Sequence, residues 1–160
     1  MKKREIGFLL TELNPEDLQD PEILEMINQC YTAANQAHAP YSQFQVGALA
    51  DLGGGHWIMG NNQENIAYPS GLCAERVAIF AARANHPGKA VRRLVLTALD
   101  KQVQLDEPVY PCGACRQVLA DVERIQQEPI EIWMIGRRRI HKVDRASDLL
   151  PLEFTWTGPH

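Results

Sequence analysis

The runs Cys73-Ala74-Glu75-Arg76 and Pro111-Cys112-Gly113-Ala114-Cys115 constrain this chain more than any other feature. Each opens a helical pattern, so a fold that unites them must bring two helix starts to one point. Cys112 and Cys115 are spaced to share one helix face, where both can grip one ion. The unpaired N–H groups and the positive dipole end of a first helical turn favour thiolate over thiol, and zinc binds the thiolate. Cys73 begins the other helix, so the same reasoning applies to it. Three sulfur ligands are one short of the four of a structural zinc site, which leaves the last position to water.

Other readings of the same residues stand beside this one. A C-x-x-C pair also suits half of a structural zinc site or a redox dithiol. The redox reading needs neither Cys73 nor Glu75. The structural reading needs a fourth ligand, and only Cys30 and five histidines are available to supply it. None has ligand spacing to another candidate. His38 ends the first helical pattern, His56 sits in a hairpin, and His86 closes a helix. His141 falls in a strand read as surface, and His160 is the last residue. Glu75, in the first turn beside Cys73, can take a proton from metal-bound water and pass it on. Its plain alternative is a glutamate complementing the helix dipole. Three thiolates on one zinc leave excess negative charge, which Arg76 can offset by hydrogen bonding to sulfur; its plain alternative is a surface ion pair.

At 160 residues the chain predicts one domain, with residues 1–20 as an N-terminal extension and 21–160 as the folded unit. Its 45% hydrophobic and 22% charged content is that of a soluble globular protein. A net charge of −4 lacks the basic excess that nucleic-acid binding requires. The one basic run, Arg137-Arg138-Arg139, reads as a solvated turn. The first ten residues lack a signal-peptide cleavage site, and no apolar run approaches the roughly 20 residues that span a bilayer. These features predict a cytoplasmic protein, where thiols stay reduced and clustered cysteines are more often metal ligands or catalysts than disulfides.

Periodicity places the elements. Asp20 and Pro21 open a helix whose stripe is Ile23, Met26, Ile27, Cys30, Tyr31 and Ala34, with Cys30 as a buried apolar residue. Ile6 to Leu10 suggests an edge strand. Phe44, Val46, Ala48 and Ala50 alternate as a strand, Gly53-Gly54-Gly55 turns the chain, and His56 to Gly60 returns. A helix from Cys73 carries Val77, Ala78, Phe80, Ala81 and Ala84 and is expected to be buried. Leu94 to Leu99 reads as a central strand. A helix from Pro111-Cys112 to Arg124, strands at Ile130–Ile135 and Arg139–Val143, and a turn at Ala146–Leu150 complete the order α-β-β-α-β-α-β-β. That alternation predicts an α/β fold with helices on the faces of a mixed sheet.

Cys-Ala-Glu followed by Pro-Cys-x-x-Cys matches the zinc nucleobase deaminase signature in its three-cysteine form. Pro40-Tyr41-Ser42-Gln43-Phe44-Gln45-Val46-Gly47-Ala48, Asn62-Gln63-Glu64-Asn65 and Cys112-Gly113-Ala114-Cys115-Arg116-Gln117 narrow the match. From about Pro40 to Phe154 the chain resembles cytidine deaminase, the small homotetrameric type that acts on free nucleosides. The resemblance implies a three-layer α-β-α fold with a mixed five-stranded sheet. It implies one zinc per subunit on Cys73, Cys112 and Cys115, and Glu75 as proton shuttle while activated water attacks C4 of cytidine or 2′-deoxycytidine, giving ammonia and the uridine product. It implies Asn62 and Glu64 as ribose contacts, Phe44 as the stacking aromatic and Ala74 as a further substrate contact. Tyr68 and Phe154 would reach pockets of neighbouring subunits in a homotetramer serving pyrimidine salvage. The stretch Tyr68-Pro69-Ser70-Gly71-Leu72 departs from the family in its proline and glycine and lacks a cysteine common there, and Ile66 is bulkier than expected. Three rivals remain: a related deaminase of another aminopyrimidine such as blasticidin S, a zinc-stabilised binding module without chemistry, and a thiol redox protein.

Overall fold

The computed structural model describes residues 1–156. Helix α1 (Pro21–Asn35) starts where its sequence predicts. The Asp20 carboxylate accepts the N–H of Glu22 at 2.9 Å and that of Ile23 at 3.4 Å, and Pro21 takes the first helical position, where its missing N–H costs nothing. Ile23, Met26, Cys30 and Ala34 from the expected stripe are buried, joined by Ala33. The Cys30 thiol donates to the carbonyl of Gly47 at 3.1 Å, so this cysteine is a core residue and stands apart from the other three.

Among the described residues seven strands form one mixed sheet. They are β1 (Thr11–Leu13), β2 (Phe44–Asp51), β3 (Trp57–Asn61), β4 (Arg93–Asp100), β5 (Val103–Gln104), β6 (Glu131–Ile135) and β7 (Ile140–Val143). Their order is β1-β7-β6-β4-β2-β3, with β5 folded back on β4. Only β4 and β6 run parallel, because α3 (Gly113–Gln126) lies in the connection between them. Helix α2 (Ala74–Asn85) links β3 to β4. One face of the sheet packs Leu94, Leu96, Ile132 and Met134 against Ala78 and Ile79 of α2 and Leu119 and Val122 of α3. The other packs Leu49, Val95 and Trp133 against Ile23, Met26 and Cys30 of α1. The architecture is therefore the expected α-β-α sandwich, with β4 covered on both faces, as its unbroken apolar run implies. Each fully buried aliphatic side chain contributes roughly 2 kcal/mol.

The five-stranded sheet expected from sequence is corrected to seven strands, and the two additions have different causes. Lys101 and Gln102 take φ of 48° and 66°, so Asp100 and Val103 pair across a two-residue hairpin. Such turns normally announce themselves through Asn-Gly or Gly, and Lys-Gln gives no such signal. Strand β1 forms because the outer edge of β7 leaves backbone groups to pair: Thr11, Glu12 and Leu13 register with Lys142, His141 and Ile140. The edge strand expected at Ile6–Leu10 is thus displaced to Thr11–Leu13, and Ile6 to Leu10 are exposed. The same pairing buries His141, which the sequence had suggested was on the surface. Helix α2 also differs from expectation. It buries Ala74, Glu75, Ala78, Ile79 and Ala82 but leaves Phe80 44% exposed, since the sheet covers only one side of it. His160 lies outside the described residues, and among those described no helix is long and apolar enough to cross a membrane.

Two glycines set how closely the helices approach the sheet. A Cβ on Gly60 of β3 would lie 2.4 Å from the N of Ala78 and 2.5 Å from the carbonyl oxygen of Ala74. One on Gly47 of β2 would lie 2.1 Å from the carbonyl oxygen of Cys30. The basic run is ion-paired, Arg137 and Arg138 with Asp106 and Arg139 with Glu107 and Glu12. Its charge is met within the chain.

A buried carboxylate ties the far end of α3 to the sheet. Glu123 accepts the N–H of Ile130 and of Ala146, both at 2.8 Å, the N–H of Ser147 at 3.3 Å, and the Ser147 hydroxyl at 2.6 Å. Its replacement leaves several buried donors without a partner. Glu123→Ala is expected to lower unfolding stability by about 3 kcal/mol. A urea melt should read this, and a loss below about 0.5 kcal/mol would contradict the clamp.

Candidate zinc and nucleoside site

Cys73 is the N-cap of α2 and Cys112 the N-cap of α3, with Cys115 in the first turn of α3. The two helix starts converge as the sequence required. Sγ of Cys73 lies 3.7 Å from that of Cys112, which lies 3.5 Å from that of Cys115, and all three fall within 4.8 Å of one another. A tetrahedral zinc with Zn–S bonds of about 2.3 Å separates its sulfurs by about 3.8 Å. A disulfide would need about 2.05 Å. The spacing therefore fits one zinc held by three thiolates and does not fit a bonded pair. Among the described residues this is the one cluster of three or more potential ligands, so no fourth protein ligand closes the site.

The protonation chemistry suits metal capture. Cys73 is pulled down to about 5, first by hydrogen bonding with Cys115 and then by the Arg76 guanidinium, whose Nη2 donates to its sulfur at 3.8 Å. Cys115 is pushed up, because the proton shared with Cys73 stays on it and burial disfavours its charge. The Cys73 sulfur is thereby the one most disposed to the thiolate form that zinc would take as a ligand. Arg76 thus touches sulfur, the contact expected of a charge-offsetting group. Its Nε is buried without a partner.

Glu75 is 4% exposed, at the first turn of α2. Burial raises its pKa above the usual carboxylate range, and the negative Cys73 adds to the effect. A carboxyl whose proton affinity is raised holds a proton more readily than an exposed glutamate, the property a general acid/base needs. Its neighbour Ala74 is fully buried.

The loop entering α3 is fixed on both sides. Tyr110 hydrogen bonds through its hydroxyl to Nδ1 of His141 at 2.8 Å, and Arg116 donates to the carbonyl of Pro111 at 2.8 Å and to that of Leu149 at 3.2 Å. Arg116 and Gln117 carry no sequence signal beyond their place in the Pro-Cys-x-x-Cys-Arg-Gln run, and Tyr110 and His141 carry none.

An open cleft of about 440 Å³ reaches the sulfur cluster at Cys73, and Tyr41, Ser42, Asn62, Glu64, Tyr68 and Arg76 are among its other lining residues. Glu64 accepts the N–H groups of Tyr41 at 2.9 Å and Ser42 at 3.2 Å and the Ser42 hydroxyl, and the Ser42 bond leads in holding its pKa below the usual range. The Asn62 amide accepts from the N–H of Val46 at 2.8 Å and donates to the carbonyl of Phe44 at 2.9 Å, continuing the ladder past the end of β3. Phe44 opens β2 on the face shared with Val46, Ala48 and Ala50, the side on which α2 and α3 pack. Tyr68 is 75% exposed on a single helical turn, edge-on to Tyr41 with centroids 6.1 Å apart. Phe154 does not line this cleft. Its ring is 77% exposed, while its backbone N–H donates to Gln117 Oε1 at 3.1 Å and its carbonyl accepts from Gln117 Nε2 at 2.9 Å.

Comparison with known proteins agrees with this geometry. The profile of the family described as "Cytidine and deoxycytidylate deaminase zinc-binding region" matches residues 21–128. The chain is 39% identical over 97 residues to a cytidine deaminase of Halalkalibacterium halodurans, covering 61% of this chain and 69% of that one. It is 40% identical over 100 residues to a cytidine deaminase of Sporosarcina psychrophila, covering 62% and 69%. The crystal structure of cytidine deaminase from Burkholderia pseudomallei superposes with a TM-score of 0.69 at 32% identity, over 82% of this chain and 98% of that one. That of the Mycobacterium tuberculosis cytidine deaminase superposes with a TM-score of 0.65 at 31% identity, over 86% and 100%. With the matched region enclosing all three sulfur donors and Glu75, the chain belongs to the cytidine and deoxycytidylate deaminase family of zinc-binding proteins.

Proposed function

We propose that this protein is a cytidine deaminase, hydrolysing cytidine or 2′-deoxycytidine to the uridine nucleoside and ammonia. The observation that carries the reading is a three-sulfur site with no fourth protein ligand among the described residues, beside a buried glutamate whose proton affinity is raised. Zinc on Cys73, Cys112 and Cys115 would supply a Lewis acid that makes water nucleophilic near neutral pH. Arg76, bonded to Cys73 sulfur, would offset the surplus charge of three thiolates. Glu75 would take a proton from the attacking water and deliver it to N3 of the pyrimidine, then carry the second proton to the departing amine. Water is consumed and ammonia released, with no electron transfer. The redox rival leaves the third sulfur and the buried Glu75 without a use, and a closed structural zinc site is disfavoured by the ligand count.

The cleft residues Asn62 and Glu64 would face the sugar, with Phe44 against the base and Ala74 beside it. Glu64 retains one acceptor position on Oε1, since a carboxylate has about four and three are occupied. Asn62 keeps one N–H beyond its two backbone bonds. A homotetramer with shared pockets accounts for exposed aromatics on ordered backbone: Phe154, clamped by Gln117, and Tyr68, set on its own helical turn. Phe80 and Ile125, exposed on α2 and α3, fit the same reading. Residues 1–20 are read as an extension on a single domain of 21–160, joined to it through β1. Free cysteines that must stay reduced to hold metal favour a cytoplasmic setting and a role in pyrimidine salvage.

Glu75→Gln is expected to keep one zinc per chain and to lose at least about a thousandfold in turnover of cytidine, followed by absorbance. A zinc-loaded wild type inert toward every cytosine nucleoside would overturn the assignment. Arg76→Ala should keep zinc and lower kcat; unchanged turnover would remove its charge-offsetting role. Sedimentation should give the mass of four chains, and Phe154→Ala should lower kcat/KM about tenfold without unfolding the subunit. A monomer as active as its relatives would exclude shared pockets.

A further inference from the structure

Ser42 has no part in the chemistry described above, yet its hydroxyl joins two of the groups that the nucleoside reading depends on. It donates to Oε1 of Glu64 and accepts the N–H of Phe44 at 3.0 Å. Oε2 of Glu64 is filled by the N–H groups of Tyr41 and Ser42, so the Ser42 hydroxyl decides how much of Oε1 remains open. The backbone of Phe44 is bracketed in turn, its N–H by Ser42 and its carbonyl by the Asn62 amide. Both Ser42 and Glu64 line the cleft that reaches Cys73.

A carboxylate with one vacant acceptor position in a defined direction accepts one hydroxyl from one direction. The same carboxylate without the Ser42 bond has two vacancies on Oε1 and turns more freely about its last torsion, so it selects less sharply. Removing the hydroxyl also leaves the Phe44 N–H without its partner, at the point where β2 begins. One side chain thus orients both the acceptor assigned to the sugar and the strand end bearing the aromatic assigned to the base.

We propose that Ser42 is a positioning residue for substrate selection: its hydroxyl aims Glu64 at a single ribose hydroxyl and holds the Phe44 backbone in register with it. This rests on the nucleoside-pocket reading of Glu64 and Phe44. Ser42 touches neither the reacting carbon nor the metal, so its loss acts on binding and selectivity more than on the chemical step.

The test compares kcat and KM for cytidine, 2′-deoxycytidine and 3′-deoxycytidine in zinc-loaded wild type, Ser42→Ala and Ser42→Thr. The wild type should lose about tenfold or more in kcat/KM on the analogue that lacks the hydroxyl Glu64 accepts. Ser42→Ala should raise KM for cytidine about tenfold, change kcat less, and shrink that discrimination to about twofold. Ser42→Thr, which restores a hydroxyl, should recover it. If the alanine variant does not accumulate as folded protein, Ser42→Cys, close in volume with a weaker donor, carries the same comparison. A discriminating wild type whose ratio is unchanged in the variants would overturn the role of Ser42 alone. Equal turnover of all three nucleosides by the wild type would overturn the sugar role of Glu64, and the proposal with it.

Discussion

The structure depends on the meeting of two helix N-termini at one side of a covered sheet. Helix starts direct unpaired N–H groups and positive partial charge toward a point, a setting that favours thiolate over thiol, and three sulfurs meet there. That arrangement also repels a cation unless the negative charge prevails, so the sulfurs and the metal need one another. The sheet supplies the rigidity. Gly60 lets α2 descend onto β3 until a methyl group would collide with Ala78, and Glu123 secures the opposite end of α3 through Ile130, Ala146 and Ser147. A site whose ligands sit on helix caps anchored in this way keeps its spacing without relying on the ion to impose it.

Around that centre, polar side chains do work that strands usually do. Past Gly47 and Asn61, where the β2–β3 pairing ends, the Asn62 amide and the Ser42 hydroxyl take over the backbone groups of Phe44 and Val46. The cleft wall is thereby held by side chains that also face the cleft. Each bond that fixes this wall also orients a polar group lining the cleft. The tail follows a similar rule: Arg116 and Gln117, immediately after the last sulfur, hold the carbonyl of Leu149 and the backbone of Phe154. The metal loop and the terminal aromatic therefore share one helix as their reference.

Much of this was legible from residue types and spacing. Asp20-Pro21 marks a helix start by local chemistry alone, and the structure reproduces it. Cys112 and Cys115 announce a shared ligand face through spacing, and Leu94 to Leu99 a doubly covered strand through their apolar run. The Lys101-Gln102 turn was not legible, because its left-handed backbone is imposed by the pairing of Asp100 with Val103 and not by the residues themselves. Strand β1 was misplaced because an edge strand is selected by the partner it meets, not by its own hydrophobicity. Phe80 was expected inside because α2 is rich in apolar residues, yet one face of a helix can be apolar without a neighbour in the same chain to cover it.

The sequence by itself determined the three-cysteine set, the glutamate beside it and the α/β alternation, because each follows from residue identity and near-neighbour spacing. Only the tertiary structure decided that the sulfurs meet at tetrahedral spacing, that Glu75 is buried enough to raise its proton affinity, and that Ser42 joins Glu64 to Phe44. Those outcomes depend on distances between residues remote in the chain, and on how far packing excludes water from each of them. No local pattern encodes either quantity.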